Sequence, residues 1–351
     1  MKKVLATLLT FVLAMSASIT AFGATTNDVD KTLESSLKFA YGDKTSFDVS
    51  ESKDYYLYLC AGGQDEKIKE SYFNSVKKAL DGGEKFDIGT LALIISNMKI
   101  SIENPTDFKG YNLVDLFGKT ELGEFDNVYT YMYASDIALS FGFEALEKQL
   151  CDAMVSKYIK GEGTDFWGGW GTSADDLSVF ITTLSVCYDD YKEYIEDAVS
   201  LLKGCNTEAG YDNYGANANS TAMALAAYVS IDEKELADDA YNKLMLFYNK
   251  ETGGFNSNYD DVLATKDAIF GLSKYRSVAD FDDVSTGKDE DEKPTNPIVS
   301  IKDKNDTNSV KTENEAKPPE KSPATGGETV VFAAFAMLAA GGMMIVSKKK
   351  K

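Results

Sequence analysis

The chain has 351 residues, a net charge of −20, four cysteines and no histidine. The acidic balance argues against a nucleic-acid partner, whose affinity rests on cationic contacts to phosphate. The missing histidine excludes Ser-His-Asp and Cys-His catalysis and any His-ligated zinc.

At the N-terminus, Lys2 and Lys3 precede an apolar stretch from Val4 to about Leu13. Ala21-Phe22-Gly23 then offers small residues at both ends of a cleavage site before Ala24. Basic, apolar and small-residue segments in that order predict a secretory signal peptide over residues 1–23, which takes no part in the fold.

Residues 24–282 read as one folded domain. Both tryptophans lie there, and Pro105 is its lone proline. Apolar residues recur at three- and four-residue intervals, which predicts an all-α fold. Helices are expected over 28–41, 51–61, 65–80, 87–98, 112–119 and 127–141. Further helices are expected over 144–159, 173–187, 191–203, 217–229, 232–248 and 261–275, making about twelve in six pairs. Cys60, Cys151, Cys187 and Cys205 sit in helical, apolar contexts with no CxxC spacing. An even count in a secreted chain permits disulfides. Four free thiols are the favoured reading, because a buried Cys behaves as a small hydrophobe.

The second half repeats. Gly169-Trp170, Gly210-Tyr211 and Gly254-Phe255 each join a glycine to an aromatic ring at intervals a little over forty residues. A short polar loop and a helix of small and apolar residues follow each one, as in Ser220-Thr221-Ala222-Met223-Ala224-Leu225-Ala226-Ala227-Tyr228. Periods near forty with two helices each indicate stacked hairpins. Helices such as 233–247 carry charge on one face and so touch solvent, whereas 220–228 is almost free of charge all round and must be buried on most sides. An outer ring around an inner ring satisfies both patterns.

These Gly-aromatic turns, each followed by a small-residue helix and an outer helix, resemble the repeats of the α/α toroid. That superfamily includes terpenoid cyclases, protein prenyltransferase β subunits and cobalamin carriers. The resemblance is clearest over 165–275 and extends more weakly to residue 24 through Phe47-Asp48, Ala61-Gly62-Gly63 and the segment from Asp87 to Met98. It implies about six helical hairpins in an α6/α6 barrel. The motifs that carry catalysis in the superfamily are missing. The nearest approach to an Asp-x-Asp-Asp acid motif, Thr172-Ser173-Ala174-Asp175-Asp176, lacks the first Asp, and the zinc set lacks its His. No catalytic residue and no cofactor is assigned.

Asp54, Asp87, Asn127, Asp175, Ser220 and Asp260 each fall near the start of an inner helix, where such residues serve as N-caps. In a toroid those N-termini ring one mouth of the barrel, with Trp170, Tyr211 and Phe255 nearby. A ligand site at that mouth would draw on Trp167, Trp170, Asp175, Asp176, Tyr211, Asn219, Asp260 and Asp261. Trp170 shares its repeat position with Tyr211 and Phe255, which argues for packing; Trp167 is the freer ring for stacking on a sugar. Neither Asp175-Asp176 nor Asp260-Asp261 has EF-hand ligand spacing, so no metal is assigned.

Residues 283–321 are dense in Asp, Glu, Lys, Asn and Thr and nearly without aromatics, which predicts a disordered, charged linker. Residues 322–351 begin with Ser322-Pro323-Ala324-Thr325-Gly326, followed by an apolar run from Val330 to Val346 and four closing lysines. The run predicts a transmembrane helix over about 329–347 with the lysines on the cytoplasmic side. Pentad, span and basic tail resemble the cell-wall sorting signal of Gram-positive surface proteins, in which a sortase cuts between Thr and Gly and joins the Thr to peptidoglycan. Ser322 stands where that signal has Leu; Pro323, Thr325 and Gly326 match.

The expected protein is therefore secreted, wall-anchored and non-catalytic. Its partners are a sortase, peptidoglycan, the membrane before processing, and an extracellular ligand. The carrier branch of the superfamily implies a small ligand of corrinoid type. An adhesion or protein-interaction module is the alternative, and an enzyme acting on an isoprenoid or a glycan is the third reading.

Overall fold

The computed structural model describes residues 25–123, 127–159 and 173–279. The predicted signal peptide, linker, transmembrane helix and sorting pentad (Ser322, Pro323, Thr325, Gly326) lie outside the described residues, as do Trp167 and Trp170.

The described chain is mostly helical. Twelve α-helices form among the described residues. They are α1 (Thr26–Tyr41), α2 (Ser52–Cys60), α3 (Glu66–Asp81), α4 (Ile88–Ile100), α5 (Leu113–Gly118) and α6 (Tyr131–Phe141), followed by α7 (Glu144–Tyr158), α8 (Ala174–Leu184), α9 (Tyr188–Gly204), α10 (Ala218–Ser230), α11 (Lys234–Leu244) and α12 (Asp261–Tyr275). One two-stranded antiparallel ribbon, β1 (Asn206–Thr207) and β2 (Gly210–Tyr211), pairs Asn206 with Tyr211 and Thr207 with Gly210.

The helices start where local chemistry satisfies their first amides. Asp87 Oδ1 accepts from Thr90 N at 2.7 Å ahead of α4, and Asn217 Oδ1 accepts from Ser220 N at 2.8 Å ahead of α10. Asp260 Oδ1 accepts from Val262 N and Leu263 N at 2.8 and 3.0 Å ahead of α12. A capping box closes the turn leading into α2, with Ser50 N donating to Asp48 Oδ1 and Asp48 N to Glu51 Oε2. Helix α6 stops at Gly142, whose φ of 70° opens a left-handed cap.

Several boundaries differ from the periodicity: the helices expected over 127–141 and 173–187 start or end in 3-10 turns, at Val128–Thr130 and Ser185–Cys187, and two others shift further. The helix expected over 232–248 begins at Lys234 and passes into a 3-10 turn at Met245–Phe247. Asp232 takes a φ of 61°, which no α-helix accommodates, and Asn256 N donates to Phe247 O at 2.8 Å, pulling the chain into a hairpin. The helix expected from 191 begins at Tyr188, with a kink at Tyr191.

The alternation of helix types is carried into the packing. Even-numbered α8 and α10 are buried almost all round: in α8, Ala174 and every residue from Asp176 to Leu184 are buried, and in α10 every residue from Ser220 to Tyr228. Odd-numbered α11 buries Ala237, Asp238, Ala240, Tyr241 and Leu244, a three-and-four stripe with a solvated opposite face. Even-numbered helices contact one another in chain order, α2 with α4, α4 with α6, α6 with α8, α8 with α10 and α10 with α12; α12 contacts α2 in turn. Odd-numbered helices lie against them, α1 on α12, α5 on α4, α7 on α6 and α8, α9 on α8, and α11 on α10 and α12.

The two Gly-aromatic turns among the described residues share one anchoring bond. Tyr211 N donates to Thr221 Oγ1 at 3.0 Å, and Phe255 N donates to Thr265 Oγ1 at 2.8 Å. Each Thr hydroxyl donates in turn to the carbonyl four residues earlier, on Asn217 and on Asp261. Gly210 adopts a φ of 132°, and a Cβ there would come within 2.8 Å of Thr221 Oγ1. Only glycine allows both that conformation and that approach.

Candidate functional site

A cavity of about 130 Å³ collects residues from α2, α6, α8, α10 and α12 and from the turn before α6, most of them in the N-terminal halves of those helices. Lys53 comes from α2; Tyr129, Thr130, Met132 and Tyr133 come from α6 and the turn before it. Asp175 comes from α8, Met223 from α10, and Asp267 and Phe270 from α12. Helix α4 packs closely behind this wall, since a Cβ on Gly89 would collide with the Thr130 side chain. Residues more than two hundred positions apart thus face one space.

Two oxygen atoms make the cavity unusual. The Tyr133 hydroxyl has no hydrogen-bond partner, although the residue is only 4% exposed. Asp175 Oδ1 is also sealed from solvent without a partner, while its Oδ2 accepts from Asn213 Nδ2 at 3.0 Å. Leaving a buried polar atom unpaired costs about 1–3 kcal/mol. Burial pushes the Asp175 carboxyl above its ordinary range, against the opposing pull of Ser220 and Asn213. Burial also raises the Tyr133 hydroxyl, with the charge of Asp267 adding to the effect.

The neighbouring carboxylate is the opposite case. Asp176 accepts from Tyr129 Oη at 2.6 Å, Tyr158 Oη at 2.9 Å and Ser173 Oγ at 2.7 Å. It fixes Tyr129 at the cavity wall. Asp267 Oδ2 accepts from Asn219 Nδ2 at 2.8 Å. Around the opening, Asp54 is paired with Lys266 at 2.6 Å and accepts from Tyr41 Oη at 3.1 Å. In the C-terminal halves of α6 and α12, Asp136 and Lys274 pair at 2.7 Å. Asp54 and Asp136 are matched by lysines, whereas no described ion pair joins Asp175 or Asp267 to a cation.

Of the eight residues expected at a mouth, the structure brings three to this place in different ways. Asp175 lines the cavity, Asp176 positions Tyr129, and Asn219 positions Asp267. Tyr211 is fully buried, with its hydroxyl donating to Tyr228 Oη at 3.2 Å, and so packs rather than binds. Asp260 is spent on the α12 cap, and exposed Asp261 accepts from Ser257 N at 2.6 Å. Trp167 and Trp170 lie outside the described residues. Three expected caps are displaced: Ser173, not Asp175, caps α8; Asn217, not Ser220, caps α10; and Asp48 caps the turn before α2, leaving Asp54 for Lys266.

Tyr133, Asp267, Met223 and Phe270 were hidden to sequence reading inside apolar helices. One signal existed, since Lys266-Asp267 is a charged pair in the middle of a helix that is otherwise charged only near its two ends, at Asp261 and Lys274. The four cysteines are free thiols. Burial raises the Cys60 thiol to about 11, far from a reactive thiolate. Among the described residues, no group of three acidic or Cys side chains gathers as a metal site. A larger recess of about 490 Å³ between the ends of α5 and α7 includes none of the described buried, unpartnered side-chain atoms in its lining.

Comparison with protein families, with curated proteins and with solved structures finds no match to this chain.

Proposed function

We propose that this chain is a secreted, wall-anchored protein that binds a small ligand without transforming it, at the mouth of an α/α toroid. The cyclic order of contacts among the even-numbered helices supports the toroid, with α12 returning to α2. These six would form the inner ring and the odd-numbered helices the outer one. The observation that carries the ligand reading is the cavity itself, where the inner N-termini meet around a buried, unpartnered Tyr133 hydroxyl and Asp175 Oδ1. Convergent polar groups in a largely apolar pocket mark binding sites.

A whole corrinoid fits this reading poorly. Pockets that enclose drug-sized ligands hold roughly 300–1,000 Å³, and this cavity holds about 130 Å³. A small molecule, or one protruding group of a larger one, suits it better. The interaction-module reading rests on Tyr214 and Tyr259, which are 83% and 93% exposed in the loops ahead of α10 and α12. Exposed rings at loop tips suit contact with another surface.

The test is a thermal-shift screen of the purified protein against sugars, cobalamins, amines and calcium. A ligand that binds only the folded state raises the melting point by mass action. The rise should be lost in Tyr133→Phe. A rise that survives Tyr133→Phe and Asp175→Asn moves the site elsewhere. Wall attachment through Thr325, by a sortase onto peptidoglycan, predicts release by a wall hydrolase and not by detergent. Thr325→Ala should transfer the protein to the membrane fraction, and detergent extraction of the wild type would reduce the tail to a membrane anchor.

A further inference from the structure

The lining of the cavity has a chemistry that narrows the ligand further. Rings from Tyr129, Tyr133 and Phe270 share it with the thioether of Met223 and the carboxylates of Asp175 and Asp267. The Tyr133 and Phe270 rings meet edge to face, 5.8 Å apart at 71°. Aromatic faces beside a carboxylate attract cations, more strongly once the site is dry.

The unpartnered atoms set a second requirement. Both are oxygens, and both can accept a hydrogen bond. An occupant that brings N–H donors would satisfy Tyr133 Oη and Asp175 Oδ1 together. One that also brings positive charge would relieve the burial of the Asp175 carboxylate, whose other oxygen is bonded to Asn213 and whose remaining polar neighbour is the neutral Ser220 hydroxyl.

Other occupants meet these requirements less well. An anion would face two carboxylates. A hard metal ion needs six or more oxygens, and no cluster of metal-ligating side chains gathers here among the described residues. A neutral polyol would serve the oxygens and leave the charge unanswered. Lys53 lines the opening but is exposed, and no described hydrogen bond or ion pair joins it to Asp175 or Asp267.

We infer that the cavity binds the protonated amino group of an aliphatic primary amine, with Asp175 Oδ1 and Tyr133 Oη accepting its N–H bonds and the rings of Tyr129 and Phe270 flanking the charge. This deepens the ligand-binding reading above and rests on it.

The experiment is calorimetric titration of the purified full chain at neutral pH with n-butylammonium chloride. Sodium chloride at equal ionic strength is the blank, and 1-butanol is the neutral analogue. Saturable butylammonium binding is expected, with no binding of 1-butanol over the same range. Asp175→Asn, which keeps the shape and removes the charge, should weaken binding by about tenfold or more, as loss of a charged hydrogen bond does. Tyr133→Phe removes only an unpartnered hydroxyl and should weaken binding several-fold while melting like the wild type. Equal binding of 1-butanol, an unchanged Kd in Asp175→Asn, or no saturable heat with butylammonium overturns the inference. A neutral sugar whose binding is lost in both variants, with nothing from butylammonium, overturns the amine and leaves the ligand site standing. No ligand of any class at this cavity overturns both.

Discussion

Helices α10 and α12 meet backbone to backbone, whereas α2 and α4 meet through polar and aromatic side chains. In the first pair, a Cβ on Gly271 would stand 2.6 Å from the Ala222 carbonyl oxygen, and Ala222, Ala224, Ala226 and Ala227 are all fully buried. In the second, Asn97 Nδ2 donates to Ser52 O and to Tyr72 Oη, both at 3.0 Å, and Ser52 Oγ meets Tyr72 Oη at 2.8 Å. Phe47, Tyr55 and Tyr72 fill the rest, with the Tyr55 and Tyr72 rings 4.1 Å apart. Both arrangements join consecutive even-numbered helices, yet they constrain sequence differently. Close backbone approach admits only small residues, so a small-residue pattern recurs and the repeat is visible. A gap filled by side chains can be filled in many ways, so the repeat fades from the sequence while the helix order persists.

Overpacking the tight region should have the largest effect. Ala227→Phe places a ring where Thr183 and Gly271 stand in the flanking repeats, and should cost about 3 kcal/mol or more in urea melts. Gly271→Ala should cost about 2 kcal/mol, because the atom it meets is backbone and cannot swing aside. If Gly271→Ala melts like the wild type, the close approach is not a constraint.

The polar region should fail by losing partners. Asn97→Ala deprives Ser52 O and Tyr72 Oη of a buried donor, and an unmet buried acceptor costs about 1–3 kcal/mol. Asn97→Leu, similar in size and apolar, tests whether volume or bonding matters there. Equal stability of the two would assign the loss to the bond, and full recovery in Leu would assign it to the cavity.

A smaller effect of opposite sign is expected at the candidate site. Asp175→Asn should stabilise the unliganded protein at neutral pH by about 1 kcal/mol, since it removes a buried, half-satisfied charge. The folded carboxyl holds its proton more tightly than the unfolded chain does. Wild-type stability therefore falls as pH rises through the raised folded value. The neutral variant does not titrate, so the gap between the two opens as pH rises from the ordinary carboxylate value to the raised folded one, is full above it, and closes at acid pH. A variant less stable than the wild type at neutral pH would mean that Asp175 already has a stabilising partner. Glu233→Ala, on the exposed approach to α11, should stay within about 0.5 kcal/mol.

The helix count, the alternation of buried and amphipathic helices and the Gly-aromatic turns are legible in the sequence. They express interactions a few residues long: amides met by Asp87 or Asp260, apolar stripes at three and four, and a glycine where Gly210 takes a positive φ. The site is only half legible. Asp175, Asp176 and Asn219 stand out as polar residues at helix starts, but their types alone predict caps. The tertiary structure alone decides that Ser173 and Asn217 take the capping roles, that Asp176 is fully bonded, and that Asp175 keeps an oxygen unpaired. It alone brings Tyr133 and Asp267, 134 positions apart in the sequence, to one wall of the cavity. Local pattern can specify which helices form and which faces they bury. Whether a buried atom finds a partner depends on side chains from helices distant along the chain, and no local pattern encodes that.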